Sequence, residues 1–243
     1  MCCTCVMRRA KPDPEDRRHD PVAPRQNAKH SHTMPLHPNA RAYLEAVHAH
    51  HRALPAYSDT GWSRPLSPRQ PGKCRFETRY LAPGYFRFAF ERAHPYPKLK
   101  HKVSRSVVGH DGDSAYLHSQ HDGRPATLSR PGSLDLAVAM ATGISSGTAH
   151  TIGALLFAEV GGLGLLDLRR LRFRRHRIVA GVRCVCVSGI HPRGGRVSAW
   201  FGAEDMLLRR LLDGRSGSEE LHVIPQRMPA LTPADFVAPG IAP

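Results

Sequence analysis

Residues 73–91 read KCRFETRYLAPGYFRFAFE, and their period decides the fold. Cys74, Phe76, Thr78 and Tyr80 alternate with Arg75, Glu77 and Arg79. Pro83 and Gly84 break the run. Phe86, Phe88 and Phe90 then take one side, Arg87 and Glu91 the other. A pleated strand sends successive side chains to opposite faces, so period two means one buried face and one wet face. The stretch predicts a half-buried β-hairpin with its aromatic side turned inward. A second hairpin is predicted from Val103–Val108 and Ser114–His118. Asp111 and Gly112 form its turn, where glycine accepts the positive φ required.

Upstream the period changes to that of a helix. Over residues 39–54, Tyr43, Leu44, Val47, His51 and Leu54 recur at helical spacing. Asn39 is placed to cap this helix and Pro55 to close it. Downstream, Ser133 can cap a helix running through Leu134, Leu136, Ala137, Val138, Met140 and Ala141. Gly143 to Gly147 interrupts it, and Thr148 to Phe157 makes a second short apolar helix. No Lys or Arg occurs from Pro131 to Leu168. Helices apolar on most sides must lie against something. Strands are expected to resume at Ile178, then at Val182–Ser188, Arg196–Gly202, Met206–Leu212 and Glu219–Gln226. The Pro-rich end, Leu231–Pro243, predicts an extended arm. Residues 1–36 lack apolar periodicity and are expected to form a disordered tail, leaving 37–243 as one domain. This order of elements is α+β: an incomplete antiparallel β-barrel, or half-barrel, with helices covering the concave face.

Composition sets the outer bounds. The 243 residues are 41% hydrophobic and 23% charged, which suits a packed core and excludes global disorder. The longest apolar run, Ile152–Ala158, is far too short for a transmembrane helix. Met1–Met7 holds no apolar stretch of the length an export signal needs, so a correct start implies the cytoplasm. The net charge of +15 invites an anionic partner. Yet 29 Arg stand against 6 Lys, an excess that a GC-rich genome also produces. A basic but solvated surface is therefore the base expectation, and nucleic acid the disfavoured partner. No spacing among the six Cys matches a zinc site. Cys184 and Cys186 share one face of a strand, where disulfide geometry is poor.

A series of short motifs adds to this. Tyr57-Ser58-Asp59-Thr60-Gly61 follows the first helix, and Phe76-Glu77-Thr78 leads to Pro83-Gly84-Tyr85-Phe86-Arg87-Phe88. Gly147-Thr148-Ala149-His150-Thr151 lies in the helical insert. Gly189 precedes Val197-Ser198-Ala199-Trp200-Phe201 and Met206-Leu207-Leu208-Arg209-Arg210, and Pro233-Ala234-Asp235-Phe236 closes the chain. The series resembles the bacterial outer-membrane lipoprotein-sorting proteins, the LolA/LolB-like superfamily, over roughly residues 39–240. The resemblance implies helices lying as a lid over an apolar cavity in a half-barrel. It implies non-enzymatic carriage of lipid or lipoprotein acyl chains in the periplasm or cell envelope. Relatives of this fold also act as envelope sensors, so a scaffold that docks an envelope protein partner is the alternative. A basic nucleic-acid-binding protein is the other.

The candidate ligand-binding residues are Phe86, Phe88, Phe90, Leu136, Met140, Ile144 and Leu155, with Trp200 on a bordering strand. Acyl chains need large unpolar walls without buried charge. An ordinary core has the same pattern. Arg172, Arg174 and Arg175, within six Arg around Phe173, are the candidate anion-binding residues. An exposed strand face reads the same way. His48 and His51 stand three apart on a helix, as a metal pair would, but a solvated His-rich helix is the simpler reading. Ser145, Ser146, His150 and Asp135 suggest nucleophilic catalysis, but no Gly-x-Ser-x-Gly elbow accompanies them and they suit a turn between helices. No catalytic residue, metal or cofactor is expected.

Overall fold

A computed structural model describes residues 37–67, 72–93, 102–121, 124–143, 145 and 147–239. The expected tail, residues 1–36, lies outside them. The strands are β1 (Ala56–Pro65), β2 (Cys74–Leu81), β3 (Tyr85–Ala93), β4 (Val103–Asp111), β5 (Ala115–His121) and β6 (Thr127–Ser129). The second set is β7 (Arg169–Val179), β8 (Val182–Ile190), β9 (Arg196–Gly202), β10 (Leu208–Asp213), β11 (Ser218–His222) and β12 (Gln226–Arg227). All twelve join one antiparallel sheet in the order β6-β5-β4-β3-β2-β1-β11-β10-β9-β8-β7, with β12 paired to β1. The end strands β6 and β7 do not pair, so the barrel stays open. Three helices, α1 (Ala40–Arg52), α2 (Leu134–Thr142) and α3 (Thr148–Leu156), cover its inner face. The molecule is the α+β half-barrel that the periodicities imply.

Local chemistry sets the element ends. The Asn39 side chain accepts the Ala42 amide at 2.9 Å and starts α1, and Ser133 accepts that of Leu136 at 3.2 Å and starts α2. A missing cap of this kind costs about 1 kcal/mol. In the first hairpin Phe76 faces Phe90, Thr78 faces Phe88 and Tyr80 faces Phe86 across the β2–β3 ladder. α2 packs on β4, β5 and α3, whereas α1 packs on α3 and β7.

Two strands depart from expectation. β7 begins at Arg169, well before Ile178, so the arginine segment is itself a strand at the sheet's edge. Most of its side chains meet water; Leu171 and Phe173 pack on the core, and Val179 at its end is buried with Cys184, Cys186 and Trp200. β1 has no apolar alternation, yet it lies at the centre, between β2 and β11. Its inward side chains are Tyr57, Asp59 and Ser63, which meet polar partners as well as apolar ones. The C-terminal arm packs on the outer face through a 3-10 turn at Pro233–Phe236. Phe236 is buried there, and its carbonyl accepts the Tyr116 hydroxyl at 2.9 Å. The outer face also holds both tryptophans. Trp62 lies under Lys73 and Arg64, at 4.7 and 4.9 Å, and Trp200 under Arg210 at 5.0 Å.

Candidate functional site

The inner face holds a half-open cavity of about 120 Å³ between α1, α3 and the strands β9 and β10. Ala154 and Leu155 of α3, Leu165 and Leu168 of the following connector, Val197 of β9 and Leu211 of β10 form its apolar wall. His48 of α1, Thr151 and His150 of α3, His191, Asp213 and Arg215 complete it. The space exists because α3 offers Ala154 to this side, and because Val197 and Leu211 reach less far than aromatic rings would.

His48 is buried, and neither of its ring nitrogens has a hydrogen-bond partner among the described residues. Burial, helped by the Arg52 charge, pushes its pKa down to about 4. At neutral pH it is an uncharged imidazole whose donor and acceptor are both shut off from water beside the cavity. Such an unmade hydrogen bond costs about 1–3 kcal/mol unless something in the cavity makes it. On the solvent side Arg215 pairs with Asp213 at 3.3 Å, and the Arg193 amide donates to Nδ1 of His191 at 3.1 Å.

Beside the cavity runs a buried polar seam along β1 and β11. The Tyr57 hydroxyl donates to Oδ2 of Asp59 at 2.8 Å, and Nδ1 of His222 bonds to the same oxygen. Nε2 of His222 lies 3.8 Å from Glu220, whose other oxygen accepts the Thr151 hydroxyl at 3.1 Å. Thr151 also lines the cavity, so the seam ties α3 to the sheet. Burial by itself lowers the His222 pKa, but Asp59 and Glu220 outweigh it and bring the value up to about 9. His222 is therefore a buried cation held between two carboxylates at neutral pH. The sequence reading missed this seam. Its one signal is Asp59 inside a strand with polar inward positions, and its partner His222 lies 163 positions further along the chain.

Of the predicted ligand-binding residues, Leu155 lines the cavity. Phe86, Phe88 and Phe90 are buried in ring contacts: Phe86 meets Phe157 at 5.4 Å, and Phe88 meets Phe76 at 5.5 Å and Phe90 at 5.8 Å between centroids. They do not contribute to its wall. Leu136 and Met140 are 50% and 46% exposed, because α2 turns Leu134, Ala137, Val138 and Ala141 to the core and leaves the opposite side in water. Trp200 sits on β9 between the inward residues Ala199 and Phe201, so the pleat sends it outward, into a cluster with Val179, Cys184 and Cys186. Ile144 lies outside the described residues. Arg172, Arg174 and Arg175 are exposed on β7, and Nε of Arg174 donates to Ser188 at 2.9 Å.

The other constellations separate. Nε2 of His150 donates to the Gly161 carbonyl at 2.7 Å, and Asp135 accepts the Gly161 amide at 2.8 Å. Ser145 instead donates to the Thr142 carbonyl and accepts the Ala149 amide, which makes it part of the turn between α2 and α3. Ser146 lies outside the described residues. Among the described residues no group of three or more His, Cys, Asp or Glu is placed to hold a metal ion, and no helix is long and apolar enough to cross a membrane.

Fold and cavity together define an α+β half-barrel whose covering helices close a small, mostly apolar space against the sheet. No protein-family model matches the chain, and no curated protein matches it. Solved structures are similar to it at low identity. An uncharacterized conserved protein from Thermus thermophilus is 12% identical with a TM-score of 0.47, over 83% of this chain and 94% of that one. MucB, solved in complex with MucA(peri), is 13% identical with a TM-score of 0.39, over 83% of this chain and 60% of that one. The chain thus spans less than two thirds of the MucB chain it matches. A domain attributed to an outer membrane lipoprotein-sorting protein from Vibrio parahaemolyticus is 8% identical with a TM-score of 0.32, over 81% of this chain and 95% of that one. At these values the likeness is one of chain course.

Proposed function

We propose that this protein is a non-enzymatic binder of a small apolar or amphiphilic ligand, an acyl chain or a molecule of similar girth, held in the cavity between α3 and β9–β10. The observation that carries this reading is the cavity's composition. Leu155, Leu165, Leu168, Val197 and Leu211 offer unpolar walls, with Thr151 among them and the uncharged, unpartnered His48 beside them. An apolar wall with a few placed polar groups is how proteins orient a mostly hydrophobic ligand. Arg215 on the solvent side suits an anionic head group. The resemblance of the sequence motifs to lipoprotein-sorting proteins points the same way, and toward the bacterial envelope as the compartment.

The size of the space narrows the ligand. Sites for drug-sized molecules hold about 300–1,000 Å³, and this one holds about 120 Å³. One chain segment fits; the acyl set of a lipoprotein enters only if α3 moves outward. A second reading, docking of a protein partner, rests on the exposed Leu136 and Met140 along the outside of α2.

Filling the cavity tests the first reading. Ala154→Leu projects a branched side chain into the space. Uptake of a fluorescent fatty acyl probe should be lost, while stability changes by about 1–3 kcal/mol and the fold remains. A variant that takes up the probe as the native protein does would remove the cavity as the site.

A further inference from the structure

The tip of the β7–β8 hairpin differs from the rest of the surface. Ile178 is 76% exposed, more than any other large apolar side chain described. The turn after it runs through Ala180 and Gly181, both at positive φ, 47° and 80°. Two such residues in succession make the tight turn whose twist matches that of its strands, so the tip is a short, firm projection. Arg183 stands opposite Ile178 in the ladder, and Arg174, Arg175 and Arg177 lie within four positions before it, all exposed, Arg174 with its Nε on Ser188. From Arg169 to Ile190 the chain holds no Asp or Glu. The turn after β9 lies alongside, since the Ala203 amide donates to the Arg183 carbonyl at 2.9 Å. Of its two carboxylates, Asp205 is paired with Arg209, which leaves the exposed Glu204 as the nearby opposing charge.

A solvated strand edge accounts for the arginines. It does not account for an isoleucine held in water on the strand one ladder pair before a tight turn, opposite Arg183, where any polar residue would serve. An apolar tip inside a basic collar has the chemistry of a bilayer surface: hydrocarbon beneath, phosphate at the rim. Nucleic acid would use the arginines but gains nothing from an aliphatic tip, since bases stack on aromatic and guanidinium planes. We propose that the β7–β8 hairpin is a peripheral anchor for membranes rich in anionic lipid, with Ile178 entering the boundary between head groups and acyl chains and Arg174, Arg175, Arg177 and Arg183 meeting the phosphates. The other end of β8, Ile190, adjoins His191 of the cavity. Eight steps of about 3.3 Å put anchor and cavity ~26 Å apart along the strand, so each is tested without disturbing the other.

The experiment is co-sedimentation of the full-length chain with vesicles of phosphatidylcholine alone and of phosphatidylcholine mixed with phosphatidylglycerol. The protein should partition onto the mixed vesicles and be released by salt. Ile178→Ser, at an exposed site, should leave the thermal midpoint unchanged and weaken partitioning about tenfold, and Ile178→Leu should restore it. Arg174→Ser with Arg177→Ser should weaken it at least as much. Partitioning that survives Ile178→Ser would show that the tip stays in water and would overturn the proposal. So would tighter binding to a DNA oligonucleotide than to the vesicles, unaffected by Ile178→Ser, which would make the collar a nucleic-acid site.

Discussion

In one half of the sheet, strands β2 and β3 present Phe76, Phe86, Phe88 and Phe90, and the rings close on one another and on Phe157. Under α3, strands β9 and β10 present Val197 and Leu211 to the alanine side of the helix, and a cavity remains. Both halves belong to one sheet and one continuous core. The difference lies in reach: a ring spans the gap between sheet and helix, while a valine opposite an alanine does not. Aromatic richness, which a sequence reading takes as the mark of a ligand pocket, here marks the half that is full. Between the halves runs the seam of Asp59, His222 and Glu220, which ties α3 to the sheet through Thr151.

The contrast breaks most visibly at Phe88. If its half is packed solid, Phe88→Ala should destabilise the protein by about 3–5 kcal/mol in urea unfolding. A loss well under 1 kcal/mol would mean that the aromatic half has room to spare. The seam comes next. The folded pKa of His222, about 9, lies above the ordinary 6.5, so its stabilisation is whole below about pH 6.5 and is lost as pH rises through about 9. Unfolding free energy should fall by a few kcal/mol across that window. The decline should be flatter in His222→Gln, and equal slopes in the two proteins would show that the histidine is not held as a cation. The smallest effect belongs to the outer side of the lid. Met140→Leu, half in water on α2, should alter stability by no more than about 0.5 kcal/mol. A larger loss would put Met140 in the core after all and redraw the boundary between the halves.

Much of the fold was legible because its elements carry their own signals. The β2–β3 hairpin alternates cleanly, and Asn39 and Ser133 cap the helices they precede. β1 was invisible because its inward positions are filled by Asp59 and Ser63, and the burial of Asp59 is made tolerable by His222, a partner far along the chain. The start of β7 was placed too late, at Ile178, because an edge strand needs little apolar surface, here Leu171, Phe173 and Val179, to hold it down. The site was less legible. α2 is apolar all round, so its sequence does not say which side faces the core, and Leu136 and Met140 fell on the wrong one. Trp200 was misplaced by one step of the pleat, which reverses the face. The cavity itself is a gap between residues that are each ordinary in sequence; only the pairing of strands with α3 brings Ala154 opposite Val197 and Leu211.

The placement of the two tryptophans has an optical consequence. Trp62 and Trp200 both stand on the outer face, each beneath a cationic side chain and with the sheet between it and the cavity. Tryptophan emission from this protein therefore originates on the side away from the helices. A displacement of α3 that opened the cavity would leave the surroundings of both indoles as they are, and tryptophan-selective excitation would report it only through an indole introduced on the inner side.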